Sequence, residues 1–164
     1  MGAVSNDYPN DFGQELDRIE SFPGVSRTEL ALDFLGFYWP LESNDTLGFI
    51  INGTSDTLVD AFANELSFNT YLYALSYMRY FGVEPGDGFF YRGDIGIAKS
   101  LVSFDGGFGR SDYVSGSGYG YLLGIGYGLP ISTGTRIIFG LNYTDRKIDS
   151  DTYKSSQVTI GFLW

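Results

Sequence analysis

The residues most able to do chemistry in this chain are charged side chains within otherwise apolar, alternating segments. Glu29 and Asp33 lie in one segment, Arg92 and Asp94 in another, and Arg136 in a third. Paired carboxylates can support acid–base catalysis, and mixed charges can form ion pairs or proton relays. Because the arginines would keep neighbouring carboxylates ionised, we expect ion pairing at these positions rather than catalysis.

Two residue types that are central to enzyme chemistry are missing. The chain has no His and no Cys, so it offers neither a Ser-His nor a Cys-His dyad, and the commonest metal ligand is absent. Its formal net charge of −10 disfavours binding to nucleic acid. We therefore predict a protein that is not an enzyme and uses no cofactor or metal.

The elements that position the charges alternate with period two, which indicates strands. Turn residues separate them, and no composition break divides the 164 residues, so we predict one domain, 1–164. The seven predicted strands are Thr28–Trp39, Thr46–Ser55, Leu66–Phe81, Phe89–Val102, Tyr113–Leu129, Thr135–Thr144 and Tyr153–Trp164.

The two faces of these strands differ in size and polarity. In the segment 118–129, large apolar residues alternate mainly with glycine, and 18% of the chain is aromatic. Glycine rows suit a narrow barrel interior, and an apolar exterior with aromatic ends is typical of membrane barrels. We predict an all-β, antiparallel up-and-down transmembrane β-barrel of about eight strands. A soluble ligand-binding β-barrel is the alternative.

These face assignments place five charges in the lumen. Each arginine should pair with one of the acids, because an unpaired charge in a narrow interior is costly. A salt-bridged plug is the structural interpretation, and a gated ion path or proton relay is the functional one. An eight-stranded interior is just wide enough for side chains to fill, which favours the plug. The predicted cluster is Glu29, Asp33, Arg92, Asp94 and Arg136.

The first 25 residues are the least regular part of the pattern. Membrane barrels have an even number of strands, so an eighth is needed, and only Gly2–Tyr8 could supply a short piece. Asp11–Val25 is predicted to be a polar loop, with a helical turn possible around Gln14–Ile19. No signal peptide opens the sequence, which suggests a mature or trimmed form. We expect 1–25 to be irregular, or the first strand to be truncated.

The final residues, QVTIGFLW, resemble the C-terminal β-signal of outer-membrane barrels, although Thr159 replaces the usual glycine. Val158, Ile160 and Phe162 share a face with the terminal aromatic. The residues that carry the resemblance are Gln157, Val158, Ile160, Phe162 and Trp164.

From about Thr28 onward the chain is similar to the small eight-stranded outer-membrane barrels of the outer membrane protein A type. The resemblance implies a Gram-negative outer membrane, both chain ends at the periplasmic side, contact with lipid and lipopolysaccharide, and insertion by the barrel assembly machinery. It implies short periplasmic turns at Leu41–Asp45, Gly82–Gly88 and Pro130–Gly134, and outer loops at Pro9–Arg27, Asp56–Glu65, Ser103–Asp112 and Asp145–Thr152.

The predicted function is that of a structural or surface-interaction barrel with a polar, salt-bridged lumen and acidic outer loops, whose loop partner the sequence does not identify. A narrow porin-like channel or small-ligand conduit is the second hypothesis, and the soluble barrel is the third. Conductance separates the first two, and purification without detergent would indicate the third.

Overall fold

The computed structural model describes residues 1–9, 11–41, 44–107 and 109–163, without the side chains of Phe34 and Leu35. Strands dominate it, and no helix in these ranges is long and apolar enough to cross a membrane. The elements are β1 Gly2–Asp7, α1 Phe12–Glu20, β2 Ser26–Pro40, β3 Asp45–Val59, β4 Glu65–Tyr80, β5 Gly88–Gly106, β6 Gly109–Val114, β7 Gly118–Ser132, β8 Thr135–Ile148 and β9 Asp151–Leu163.

Eight of the strands close into a ring in which every pairing is antiparallel. The order is β4-β3-β2-β1-β9-β8-β7-β5, and β4 pairs with β5 to complete the circle. β6 lies outside this ring and forms a hairpin with the end of β5, pairing with Leu101–Gly106. The predicted eight-stranded antiparallel barrel is therefore confirmed.

The N-terminal segment is more regular than predicted. β1 supplies the eighth ring strand, with Gly2 opposite Thr159 and Asp7 opposite Lys154 of β9. After it, α1 covers nine residues rather than the single turn considered around Gln14–Ile19. The expectation of an irregular segment 1–25 is thus corrected, because a short strand and a packed helix fill most of it.

Other boundaries also differ from the prediction, including the predicted outer loop Ser103–Asp112, which is mostly strand because β5 continues to Gly106 and β6 begins at Gly109. The predicted strand Tyr113–Leu129 divides into β6 and β7. The predicted outer loop Asp145–Thr152 is mostly strand, since β8 continues to Ile148 and β9 begins at Asp151. Polar residues there suggested a loop, but the alternation of inward and outward side chains continues through them.

The two faces of the wall are distributed as predicted. Ile95, Leu123 and Ile125 point outward and are 69%, 58% and 62% exposed, whereas Arg92 and Asp94 are buried inside. The interior is so crowded that some lumen-facing positions have no room for a side chain. A Cβ at Gly126 would overlap both the Phe139 carbonyl oxygen and the Phe90 ring, so only glycine fits there.

The ends of the barrel differ in what they carry. We call the end with Leu163 and the β4–β5 and β7–β8 connections the turn end. The opposite end, which carries α1, residues 60–64, β6 and the β8–β9 connection, is called the loop end.

Candidate functional site: the charged lumen and the loop-end surface

A buried ion-pair cluster occupies the lumen between β2 and β5. Arg92 donates to both oxygens of Asp94, with Nη2 2.5 Å from Oδ2, and its Nη1 lies 2.9 Å from Asp33 Oδ2. The Asp94 and Arg92 side chains are 0% and 6% exposed. Asp33 immediately precedes a bulge in β2. One guanidinium therefore satisfies two carboxylates from opposite parts of the wall.

A second polar layer adjoins this cluster through Asn52. Its Nδ2 donates to Asp33 Oδ1 at 2.8 Å, and its Oδ1 accepts a hydrogen bond from Arg146 Nη2 at 2.5 Å. Gln157 lies in the same layer and donates to Thr144 Oγ1 at 3.2 Å. Asn52 thus links the two buried arginines by way of Asp33.

Arg146 is a lumen residue that the sequence analysis missed. It is 1% exposed, and its Nε has no hydrogen-bond partner among the described residues. Its position in a predicted loop concealed it. Asn142 and Thr144 point into the lumen, and continuing the same alternation by two residues would have identified Arg146 as a lumen residue.

The remaining two members of the predicted lumen cluster need correction. Arg136 lies at the turn end, 2.6 Å from Glu84 and 3.1 Å from Asp87, rather than beside Asp94, Asp33 or Glu29. Glu29 lies towards the loop end, where it accepts a hydrogen bond from Asn6 at 3.0 Å. The alternation of side chains along a strand predicts which face of the wall a residue occupies, but it does not predict the height of that residue along the barrel axis. The five charges therefore share the inner face but lie in separate groups.

Apolar and aromatic side chains cover the turn end of the lumen. Tyr80 and Phe90 are buried with ring centroids 5.4 Å apart, and Met78 packs with them. Partly buried neighbours complete this layer, namely Tyr38, Ile138 and Leu163. Among the described residues, this layer closes the lumen below the ion pairs.

Helix α1 covers the loop end of the lumen. Phe12 lies 5.0 Å from Phe68 and 5.3 Å from Tyr8, measured between ring centroids, and Leu16 is 1% exposed. Arg27 fastens the helix to the wall, since its guanidinium contacts Asp17 of α1 at 2.7 Å. The same group contacts the buried Asp56 of β3 at 2.6 Å. The helix is therefore an ordered cap on the lumen.

A structured turn projects an aromatic residue at the loop end. The backbone N–H groups of Phe62 and Asn64 donate to Asp60 Oδ1 at 2.8 and 2.9 Å. Hydrogen bonds to Asp60, first from the side-chain amide of Asn64, hold the pKa of its carboxyl below the ordinary range. Phe62 itself is 88% exposed. Gly107 N–H donates to Asn64 Oδ1 at 3.2 Å, which ties this turn to the β5–β6 hairpin.

No cluster of three or more His, Cys, Asp or Glu side chains within the described ranges could hold a metal ion. The geometry offers ion pairing and hydrogen bonding in the lumen, and exposed loops outside it.

The residues of the predicted C-terminal assembly signal divide between the two faces. Val158, Ile160 and Phe162 point outward and are 58%, 49% and 60% exposed, whereas Gln157 is buried in the lumen. Trp164 lies outside the described residues. The role of this segment in assembly remains a prediction.

Comparison with known proteins identifies a similar fold. No family model matches the chain, and no curated protein matches it in sequence. A crystal structure of Ail, the attachment invasion locus protein of Yersinia pestis, in complex with the heparin analogue sucrose octasulfate, aligns with a TM-score of 0.56. It is 11% identical, and the alignment covers 99% of each chain. At this identity the likeness establishes the fold, that of an outer-membrane β-barrel.

Proposed function

We propose that this chain is a small eight-stranded barrel of a Gram-negative outer membrane that acts without enzymatic chemistry, through contacts made by its loop end. In this proposal the wall meets lipid and lipopolysaccharide, and the barrel assembly machinery inserts it. The similarity to outer membrane protein A-type barrels belongs to the same proposal.

One observation carries the proposal, namely the inverted distribution of polarity across the wall. The exterior is a continuous band of exposed apolar residues, and the interior holds buried charges and amides. A soluble barrel would leave such an exterior in water, whereas a bilayer requires it. Strand closure also satisfies the backbone hydrogen bonds that lipid cannot.

The likeness to Ail supports a surface role but does not supply a partner. The heparin analogue in that complex is a ligand of Ail alone. This chain carries a net charge of −10, which disfavours a polyanionic ligand. The covered ends of the lumen likewise give no support to a channel.

The absence of native Cys permits a direct test of location and orientation. Phe62 at the loop end and Val83 at the turn end are 88% and 90% exposed, which makes them a matched pair. Phe62→Cys and Val83→Cys variants would each be expressed with a signal peptide and treated with a membrane-impermeant maleimide. We expect intact cells to label only the Phe62→Cys variant, and lysed cells to label both.

Equal labelling of both variants in intact cells would contradict the proposed orientation. Recovery of unlabelled protein in the soluble fraction without detergent would contradict the membrane location.

A further inference from the structure

An aromatic pair lies on the lumen side of the β5–β6 hairpin, above the mouth of the barrel. Every second side chain of β5, beginning with Arg92 and Asp94, points inward, and the strand pairing has no bulge before Phe104. Phe104 therefore lies on the same face as Arg92 and Asp94. Register then places Tyr113 opposite Val102, on the same face of the hairpin. Phe104 and Tyr113 are 47% and 68% exposed. This is an apolar sheet face that the described residues leave uncovered.

Exposed acidic groups are numerous at the end of the barrel that carries this face. A Cβ at Gly116, three residues after Tyr113, would overlap Asp149 Oδ1, so the β8–β9 connection places a carboxylate against the segment that joins β6 to β7. The cap helix adds carboxylates at the same end, of which Glu15 pairs with Arg18, and Asp17 and Glu20 pair with Arg27 while their side chains remain about half or more exposed. Other solvent-exposed acidic residues of the loop end include Asp11, Glu15, Asp17 and Glu20, whereas Asp105 and Asp112 lie on the opposite face of the hairpin, where Asp112 pairs with Arg110.

We propose that this face binds a cationic amphipathic polypeptide segment. Apolar side chains of the segment would pack on Phe104 and Tyr113, and its lysines or arginines would face Asp149 and the acidic surface of α1. The inference rests on the proposed function, because a foreign polypeptide meets this face only if the loop end lies outside the cell.

Charge complementarity selects this occupant over the others that an apolar face could take. A second copy of the chain would bring another net charge of −10 to the same surface. Sulfated or phosphorylated glycans would also meet carboxylates, and they lack the apolar groups to cover the aromatic pair. A cationic amphipathic segment satisfies both features, and electrostatic attraction would speed its approach.

The test uses the full chain, refolded in nanodiscs of zwitterionic lipid that contain no lipopolysaccharide. The probe is a fluorescent peptide of lysine and leucine, long enough for about four helical turns, and its counterpart replaces each lysine with glutamate. Anisotropy measures binding, and empty nanodiscs give the background. We expect the lysine peptide to bind and the glutamate peptide not to.

Variants locate the binding face. Phe104→Ser/Tyr113→Ser should weaken affinity by roughly tenfold, because aromatic anchors dominate such interfaces. Asp149→Asn, which tolerates the positive φ of 54° at that position, should weaken binding by roughly two- to fivefold at low salt and have no effect at about 0.5 M salt, where charges are screened. Val83→Ser at the turn end is the control and should bind normally.

Unchanged affinity in the aromatic variant, with its heat-dependent gel mobility retained, would overturn the inference. Binding of the glutamate peptide, or of a heparin analogue in place of the lysine peptide, would also overturn it. Because nanodisc binding does not depend on cellular location, this result and the maleimide experiment can fail independently.

Discussion

Arg92 shows how the interior accommodates charge. Its guanidinium contacts Asp94 of its own strand and Asp33 of β2, so two carboxylates share one cation. Arg146, in contrast, reaches Asp33 only through Asn52. The four charged groups sum to zero within one connected network. Removing any one of them would leave an uncompensated charge in the lumen.

Replacing Arg92 with methionine should destabilise the folded barrel by about 3–5 kcal/mol, because Asp94 would remain buried without its partner. The measurement is urea unfolding in phospholipid vesicles, followed by tryptophan fluorescence. Arg92→Met/Asp94→Asn should recover part of the loss.

Arg79→Met provides the control for this experiment. Arg79 is 51% exposed and lies 3.6 Å from Asp45, so its loss should cost no more than about 1 kcal/mol. Equal losses in the free energy of unfolding for Arg79→Met and Arg92→Met would show that the buried ion pair stabilises the barrel no more than an exposed one.

At the scale of the element, glycine decides how closely strands and side chains approach. Gly126 of β7 faces the lumen against the Phe139 carbonyl and the Phe90 ring. A methyl group at Gly93 of β5 would instead meet no described atom within 4 Å beyond its chain neighbours. The two glycines lie on neighbouring strands and differ mainly in the face they occupy.

Gly126→Ala should destabilise the barrel by about 1–3 kcal/mol through overpacking, whereas Gly93→Ala should be neutral or slightly stabilising. Both can be compared by the temperature at which gel mobility changes on heating in SDS. A larger effect at Gly93 would contradict the assignment of the two faces.

Strand β9 carries outward residues that we predict to serve in assembly as well as in lipid contact. Phe162 and Phe49 are 60% and 59% exposed on the outer face, but only Phe162 lies in the C-terminal signal. Phe162→Ser should therefore lower the folded fraction in outer-membrane extracts severalfold more than Phe49→Ser. Similar losses in the two variants would show that Phe162 contributes through lipid contact alone and has no separate role in assembly.

The sequence predicted the strands because alternation is a local signal, and it predicted the faces because size and polarity follow from burial. It missed Arg146 because charged residues near a strand end resemble a loop. It grouped Arg136 and Glu29 with Arg92 because strand tilt and register set the height of a residue, and these depend on pairings between distant segments. The length of α1 was underestimated because the helix is stabilised by the packing of Phe12 on Phe68, a tertiary contact that the local sequence does not reveal.

At the scale of the whole molecule, the lumen is filled by successive layers. The aromatic cap of α1 covers the loop end, the buried polar network occupies the middle, and Met78, Tyr80 and Phe90 cover the turn end. The layers share strands, since Phe90 and Arg92 both lie in β5, but each layer is built from different side chains at a different height in the barrel. Removal of one layer should therefore leave the others in place.

The intact chain in a planar bilayer should consequently give no stepwise conductance above that of the protein-free membrane. Replacing residues 9–24 with a short Gly-Ser linker removes the cap but leaves the turn-end layer, so this variant should also remain closed. Adding Tyr80→Ala and Phe90→Ala to it should still give no stepwise conductance, because the buried network of Arg92 and Arg146 continues to fill the middle of the lumen. Steady channels in the intact chain, or in the cap deletion alone, would instead favour transport, because the middle network would then have to admit water and ions around Arg92 and Arg146. Ion flux in the variant that lacks both end layers would therefore show that the middle network acts as a gate, and its absence would show that the network is a plug.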